Sequence, residues 1–278
     1  MNKLYTTIVN QVEKYGIFKT NIYEIFNQEQ LKYFYETQEL YDNVLQHPHV
    51  QDRIKRINCG NPNLDRRKWY EITQYQLLSR GLSPSDSLVK LYLQEPFIEI
   101  AKLFYSELPK VRNILMWAHP KNAKQETMAS QNWHRDQEDY KILKVFVNFS
   151  EINSKNGPTE FCLETQHGGK YDHVYPQYFL DKKPNPSNFD PYQLNLEIID
   201  ISGPIGTVSF INANGVHRGG SVKEGIRLLT HCNYIKPSAP LIKNGTLGRF
   251  DYNHEINTVN FEDESFTCLT QEQKYLLI

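Results

Sequence analysis

The chain has 278 residues, with 31 Lys plus Arg against 32 Asp plus Glu and a formal charge of −1. That balance, without any run of like charges, removes the electrostatic case for nucleic acid or an anionic membrane as partner. Hydrophobic residues at 39% and aromatics at 13% exclude a disordered chain and suffice for a sizeable core.

Residues 1–16 lack the apolar run of a secretory leader, and no stretch approaches the roughly 18 apolar residues of a membrane span. The expectation is a soluble, cytoplasmic protein. Cys59, Cys162, Cys232 and Cys268 lie far apart without a C-x-x-C pair. This disfavours a zinc ribbon or a disulfide scaffold and favours buried free thiols.

Residues 20–107 read as mainly helical. Asn21–Phe26 leads into Glu29–Tyr35 with apolar residues at mixed three- and four-residue spacings. A second helix is expected over Asp65–Leu78. A third starts at Ser83-Pro84-Ser85-Asp86 and carries Leu88, Leu91, Leu93, Phe97, Ile100 and Leu103, with Pro96 placed to kink or divide it. After Pro109 the pattern changes to short strands at Asn113–Trp117, Lys141–Phe149, Thr159–Leu163, Leu196–Ile201, Thr207–Ile211 and Arg227–Ile235. Asn156-Gly157-Pro158, Ser202-Gly203-Pro204 and Asn214-Gly215 punctuate them. Many short strands with such turns predict an α+β, mainly β chain with a sandwich or barrel core, not a parallel sheet. Residues 166–195, rich in Tyr, Pro, Asn, Asp and Gly, form a long loop that is either a lid over a site or a surface insertion. Residues 237–278 are polar and carry no clear pattern. No repeat or linker divides the chain.

In the β-rich half stands His134-Arg135-Asp136, with His217 and Arg227 downstream. Residues two apart on a strand point the same way, so His134 and Asp136 share a face. Two imidazoles and a carboxylate converging on a point make a facial ligand set for a non-haem iron, with the opposite face open. An arginine nearby suits a carboxylate co-substrate, because its planar fork pairs bidentately. With 9 His and 12 Asp, a His-x-Asp arises roughly 0.4 times by chance, so context has to carry the reading. Ala129–Trp133 is expected to be extended, leading into His134. His217 follows a strand and a glycine turn, and Arg227 opens the next strand, so neighbouring antiparallel strands are expected to bring these two together. Along Leu143–Phe149 one face is apolar and should pack outward on helices, while Lys144, Phe146 and Asn148 form a mixed face. Lys144 lies either inside with a partner carboxylate or at the solvent edge. Asn132 shares the face of His134 and Asp136 and is a candidate substrate contact with Lys144. His167, His173 and His231 read as ordinary hydrogen-bonded histidines, with ligand or substrate contact as the alternative. Tyr171, Tyr175 and Tyr178 either close over a ligand or are exposed loop aromatics.

Trp133-His134-Arg135-Asp136, Leu143–Asn153 and Asn156–Phe161, followed by Gly206–Phe210, Val216–Gly220 and Arg227, resemble the phytanoyl-CoA dioxygenase-like family over about residues 110–236. The resemblance implies a double-stranded β-helix (jelly-roll, cupin-like) core at 111–236, supported by helices of 1–110 and followed by an extension at 237–278, as one oxygenase domain over 1–278. It implies Fe(II) on His134, Asp136 and His217, the far carboxylate of 2-oxoglutarate on Arg227, and Phe146 beside that co-substrate. It implies O2-dependent hydroxylation of a small molecule, with desaturation or cyclisation as variants and succinate and CO2 as co-products. Asp136 stands where related halogenases have a small residue, which disfavours halogenation. Two departures concern co-substrate contacts. Leu163-Glu164-Thr165-Gln166-His167 replaces a Pro-Gly-Ser/Thr-His segment, and Gly219 stands where a hydroxyl residue is usual, with Ser221 nearby. The alternatives are a cupin-like metal dioxygenase without 2-oxoglutarate, which leaves Arg227 without a role, and a non-catalytic binding protein. Neither the substrate nor the oligomeric state is legible.

Overall fold

The computed structural model describes residues 2–60, 70–123, 129–177, 189–239 and 269–277. Helix α1 (Lys3–Tyr15) begins at Asn2, whose side chain accepts from the Leu4 N–H, and ends at Gly16 with φ 87°. A side chain at Gly16 would meet the Phe161 ring at 2.5 Å, so both the left-handed turn and the close approach require glycine. Gln166 completes this junction by donating to the carbonyls of Glu13 and Lys14, two of the acceptors that a helix C-terminus leaves open.

The turn feeds β1 (Ile17–Asn21), a strand absent from the sequence reading. Then come α2 (Ile22–Ile25), α3 (Gln28–Leu45) with an Asn27/Gln30 capping box, and α4 (Pro48–Asn58). The helix expected over Asp65–Leu78 is corrected where it is described: Ile72–Thr73 is a strand, β2, and only Gln74–Leu78 is helical, α5. Residues 65–69 lie outside the described residues. The Thr73 N–H donates to Gln76 Oε1 at the start of that helix. Pro96 divides the third expected helix into α6 (Ser87–Tyr92) and α7 (Glu95–Tyr105), where it occupies the first turn and its missing N–H costs nothing.

Strands β3 (Lys110–Pro120), β4 (Leu143–Asn148), β5 (Glu160–Cys162), β6 (Ile198–Asp200), β7 (Thr207–Asn212), β8 (His217–Arg218) and β9 (Ile226–Ile235) follow, and α8 (Gln271–Leu277) lies near the C-terminus. All pair antiparallel in two sheets. The larger has the order β1-β7-β4-β9-β3-β2, and the smaller β6-β5-β8. The N-terminal part, expected to be mainly helical support, also supplies both edges of the large sheet.

Leu143, Val145, Val147 and Phe149 of the β4 region bury their apolar row with the helices, Phe34 stacking on Phe149 at 5.0 Å. Each such side chain contributes about 1.5–3 kcal/mol on burial. Tyr41 and Tyr92 reach through this layer to hydrogen-bond the Leu229 carbonyl and the Thr230 hydroxyl. The opposite face of the large sheet packs on the small one, with Phe146, Ile211 and Leu229 in one cluster with Phe161. Lys144, Asn148, Ser209, His231 and Asn233 are buried on this inner face, so the interior between the sheets mixes polar groups with that apolar cluster. Cys162 and Cys232 are buried free thiols as expected, whereas Cys59 is exposed; Cys268 lies outside the described residues. Among the described residues, no helix is long and apolar enough to cross a membrane.

Candidate metal centre and its cavity

Ala129–Gln131 is a turn of 3-10 helix, not the extended run expected ahead of His134. The chain extends only at His134 itself, which forms an isolated antiparallel bridge with His217. His134 N–H donates to the His217 carbonyl at 3.0 Å and the return bond is 2.9 Å. Two residues on, the Asp136 N–H donates to the Ala213 carbonyl at 2.9 Å. One short ladder therefore aligns the His-x-Asp segment with the turn that delivers His217.

The three side chains converge. Their ligand atoms all lie within 4.8 Å of one another. Asp136 Oδ1 is 3.7 Å from Nε2 of both His134 and His217, and the imidazole centroids are 4.4 Å apart. The other ring nitrogens decide the chemistry. His134 Nδ1 bonds the Asn132 carbonyl at 2.8 Å and His217 Nδ1 the Gly215 carbonyl at 2.9 Å. A carbonyl only accepts, so each Nδ1 carries the proton and each Nε2 turns a lone pair towards Asp136. This is how metal-binding histidines are held, and the donor set fits a divalent transition metal.

Lys144 lies inside, not at the solvent edge. It is buried and its ammonium contacts Asp136 Oδ2. Burial opposes ionisation of Asp136, but Lys144 and then the two imidazoles outweigh it and hold the carboxyl well below the usual carboxylate range. His217, desolvated and facing His134, is pushed down to about 3. Both states are those that metal ligation requires.

Arg227 and His217 are brought together differently from the expectation. β8 pairs with β5 in the small sheet, while Arg227 lies on β9 in the large one, so they are not on neighbouring strands. Residues 219–225 cross from one sheet to the other, and the two side chains line one cavity of about 50 Å³ between the sheets. Phe146 also lines it and meets His231 edge-on at 5.3 Å. Arg227 is buried, donates to the Gly220 carbonyl at 3.2 Å and leaves Nε without a partner. Burial brings its guanidinium down to about 10, against the opposing pull of Glu71.

Sequence reasoning missed Tyr70, Glu71 and His119. Tyr70 and His119 line the cavity beside Arg227, and Glu71 Oε2 lies 3.9 Å from His119 Nε2. His119 sits directly across from Arg227 in the β3–β9 register, and His231 lies on the face of Arg227 four residues along. In the sequence His231 is a candidate contact only as the alternative to an ordinary hydrogen-bonded histidine; His119 becomes visible only with the register. Tyr70 and Glu71 enter through the two-residue strand β2, which has no sequence signature. Where Gly219 lacks a hydroxyl, its N–H donates to the Ser130 carbonyl, and Tyr70 Oη lies 3.3 Å from Ser130 Oγ in the cavity wall. Ser221 Oγ accepts from Gln131.

Asn132 is exposed, and its carbonyl orients His134. His167 and His173 are exposed. Tyr175 is buried and donates to the Trp133 carbonyl; Tyr178 lies outside the described residues, as does 178–188 of the long loop. Thr165, within the departing segment, accepts from the Val216 N–H.

Burial keeps His119 and His231 neutral to well below the ordinary histidine range, as it does His217. Unfolded histidine takes up a proton near pH 6.5. The unfolded state therefore binds more protons between about 6.5 and 3, so this stabilisation is fully present above that window and is lost progressively as pH falls through it. Glu71, pushed up to about 7 by burial, and Glu95, Glu138 and Asp139, which burial also raises, act in the opposite sense; the three imidazoles, held neutral well below their ordinary range, set the sign. The metal-free protein is expected to melt at a lower temperature at pH 5 than at pH 7.5. An equal or higher midpoint at pH 5 would contradict the buried neutral imidazoles.

No family model matches the chain, and no curated protein matches it in sequence. Solved structures do match in fold. SnoN, a non-haem α-ketoglutarate-dependent epimerase from nogalamycin biosynthesis, shares 13% identity over 85% of this chain and 84% of its own, with a TM-score of 0.56; it has also been crystallised with Fe3+, α-ketoglutarate and nogalamycin RO. SnoK, a non-haem α-ketoglutarate-dependent carbocyclase from the same biosynthesis, shares 13% over 93% of both chains with a TM-score of 0.54. EctD from S. alaskensis, solved with 2-oxoglutarate and 5-hydroxyectoine, shares 16% over 83% of this chain and 75% of its own with a TM-score of 0.52. The chain has the fold of these proteins.

Proposed function

We propose that this chain is a non-haem Fe(II)- and 2-oxoglutarate-dependent oxygenase of the phytanoyl-CoA dioxygenase-like kind, hydroxylating a small organic molecule. Its 278 residues form one domain whose facing sheets make up a double-stranded β-helix. One observation carries the reading. Two imidazoles with Nε2 lone pairs turned to a carboxylate lie in the same cavity as a buried arginine. A metal site alone would not need Arg227: its carboxyl neighbour Glu71 is pushed up to about 7 by burial and its Nε has no partner, so an anionic ligand would complete the pairing of a buried guanidinium.

His134, Asp136 and His217 would hold the iron. Arg227 would pair with the far carboxylate of 2-oxoglutarate, flanked by Phe146 and by the Tyr70 and Ser130 hydroxyls. Bound iron with 2-oxoglutarate and O2 supplies the oxidising chemistry, releasing succinate and CO2 and transferring one oxygen atom to a substrate C–H. The protein's work is to bind, orient and exclude water. Lys144 occupies Asp136 Oδ2, which leaves Oδ1 to face the two imidazoles. Its ammonium also offers a counter-charge to an anionic ligand on the iron. Asn132, exposed beside His134, is a substrate contact at the rim. The neighbours in fold include an epimerase and a carbocyclase, so cyclisation belongs with hydroxylation among the outcomes this scaffold accommodates.

The test is anaerobic titration of Fe(II)-loaded protein with 2-oxoglutarate, followed by its weak visible charge-transfer band. A saturable band at one equivalent is expected, with succinate release once O2 is admitted. Iron binding without any band would favour the cupin-like dioxygenase that dispenses with 2-oxoglutarate.

A further inference from the structure

Between the two ligands of the His-x-Asp segment stands Arg135, among the most deeply buried large side chains, 2% exposed. Its Nη1 donates to the Thr165 carbonyl at 2.6 Å and the Asn214 carbonyl at 2.7 Å, and its Nη2 to the Asp172 carbonyl at 2.6 Å. A surface or ion-pairing arginine is not used this way. Charge-assisted bonds to backbone carbonyls fix main-chain position.

What is fixed matters for the centre. The Asn214 carbonyl belongs to the turn whose previous carbonyl, Ala213, receives the Asp136 N–H and whose next, Gly215, orients His217 Nδ1. Thr165 holds the same turn from the other side by accepting the Val216 N–H. Arg135 thus grips the two segments that place His217, from a backbone position flanked by His134 and Asp136. Its planar fork spans three carbonyls on these two segments, which a point-charged ammonium cannot do.

We propose that Arg135 is a positioning residue of the metal centre: it locks the Ala213–Gly215 turn and the Thr165–Asp172 segment to the His-x-Asp segment, and so sets the angle at which His217 meets the metal. This rests on His134, Asp136 and His217 being a metal centre. Groups that orient ligands without touching the metal typically govern affinity by 10–100-fold.

The test uses Co(II) as probe, titrated into full-length metal-free protein and followed by visible absorption. Wild type is expected to take up one Co(II) per chain. Arg135→Met should bind Co(II) about 10–100-fold more weakly and with altered absorption, at a temperature where circular dichroism shows it folded. Arg135→Lys, which keeps the charge and part of the bonding, should fall between the two. It also supplies the measurement should Arg135→Met not fold. A structural role alone would lower the melting temperature while leaving affinity and spectrum as in wild type, and that outcome overturns the proposal. Wild type that takes up no Co(II) would overturn the centre itself.

Discussion

Asp136→Ala is expected to lose metal binding by more than about 100-fold, beyond what an orienting group costs, with less than a tenth of an equivalent of Fe(II) retained after gel filtration. Asp136 is the one anionic member of the set. Two neutral imidazoles alone make a weak site, and the substitution removes the atom that faces both Nε2 nitrogens at 3.7 Å. Its second effect falls on Lys144, which would keep its buried position and lose its counter-charge. An uncompensated buried charge costs about 3–5 kcal/mol unless it neutralises, so the variant should also melt earlier. Lys144→Met provides the contrast. It leaves Asp136 ionisable beside two imidazoles and should retain iron. Wild-type metal content in Asp136→Ala would remove the carboxylate from the centre.

Arg227→Ala should leave iron binding intact and raise the 2-oxoglutarate concentration at half-saturation of the charge-transfer band by at least about 100-fold. Hydrogen bonds to charged groups contribute about 1.5–3 kcal/mol each, and a guanidinium can offer a carboxylate two. The buried setting of Arg227 keeps solvent from replacing them. Arg227→Lys should recover only part of the loss, since an ammonium lacks the fork. Removal of Arg227 also frees Glu71 from its guanidinium neighbour, so the buried carboxyl, already pushed up to about 7, should rise further. Wild-type affinity for 2-oxoglutarate in Arg227→Ala would take this residue out of the co-substrate site while leaving the metal reading standing.

β3, β4, β7 and β9 were legible because their patterns are local: alternating or continuous apolar runs bounded by Gly, Pro and Asn turns. Pro96 dividing a helix was legible for the same reason, since a missing N–H acts within one turn. β1 and β2 were not. Their five and two residues are strands because an edge of β7 and of β3 offers unpaired backbone groups, which no local window contains. The apolar face of β4 was correctly turned to the helices, but its partner face left Lys144 undecided until Asp136 appeared beside it.

His134, Asp136, His217 and Arg227 could be named from residue type and order alone, because ligand chemistry and carboxylate pairing restrict the candidates to few side chains. How they meet was a tertiary decision. His134 and His217 join by a bridge of two hydrogen bonds, Arg227 arrives from the opposite sheet, His119 faces it from β3, and Tyr70 and Glu71 close in from a segment with no motif. Arg135 shows the difference most clearly: in the sequence it is the unremarked middle of a tripeptide, and in the fold its guanidinium joins three distant carbonyls. A side chain's intrinsic chemistry is written in its identity, whereas its partners are set by which distant backbone groups the packed sheets leave within 3 Å of it.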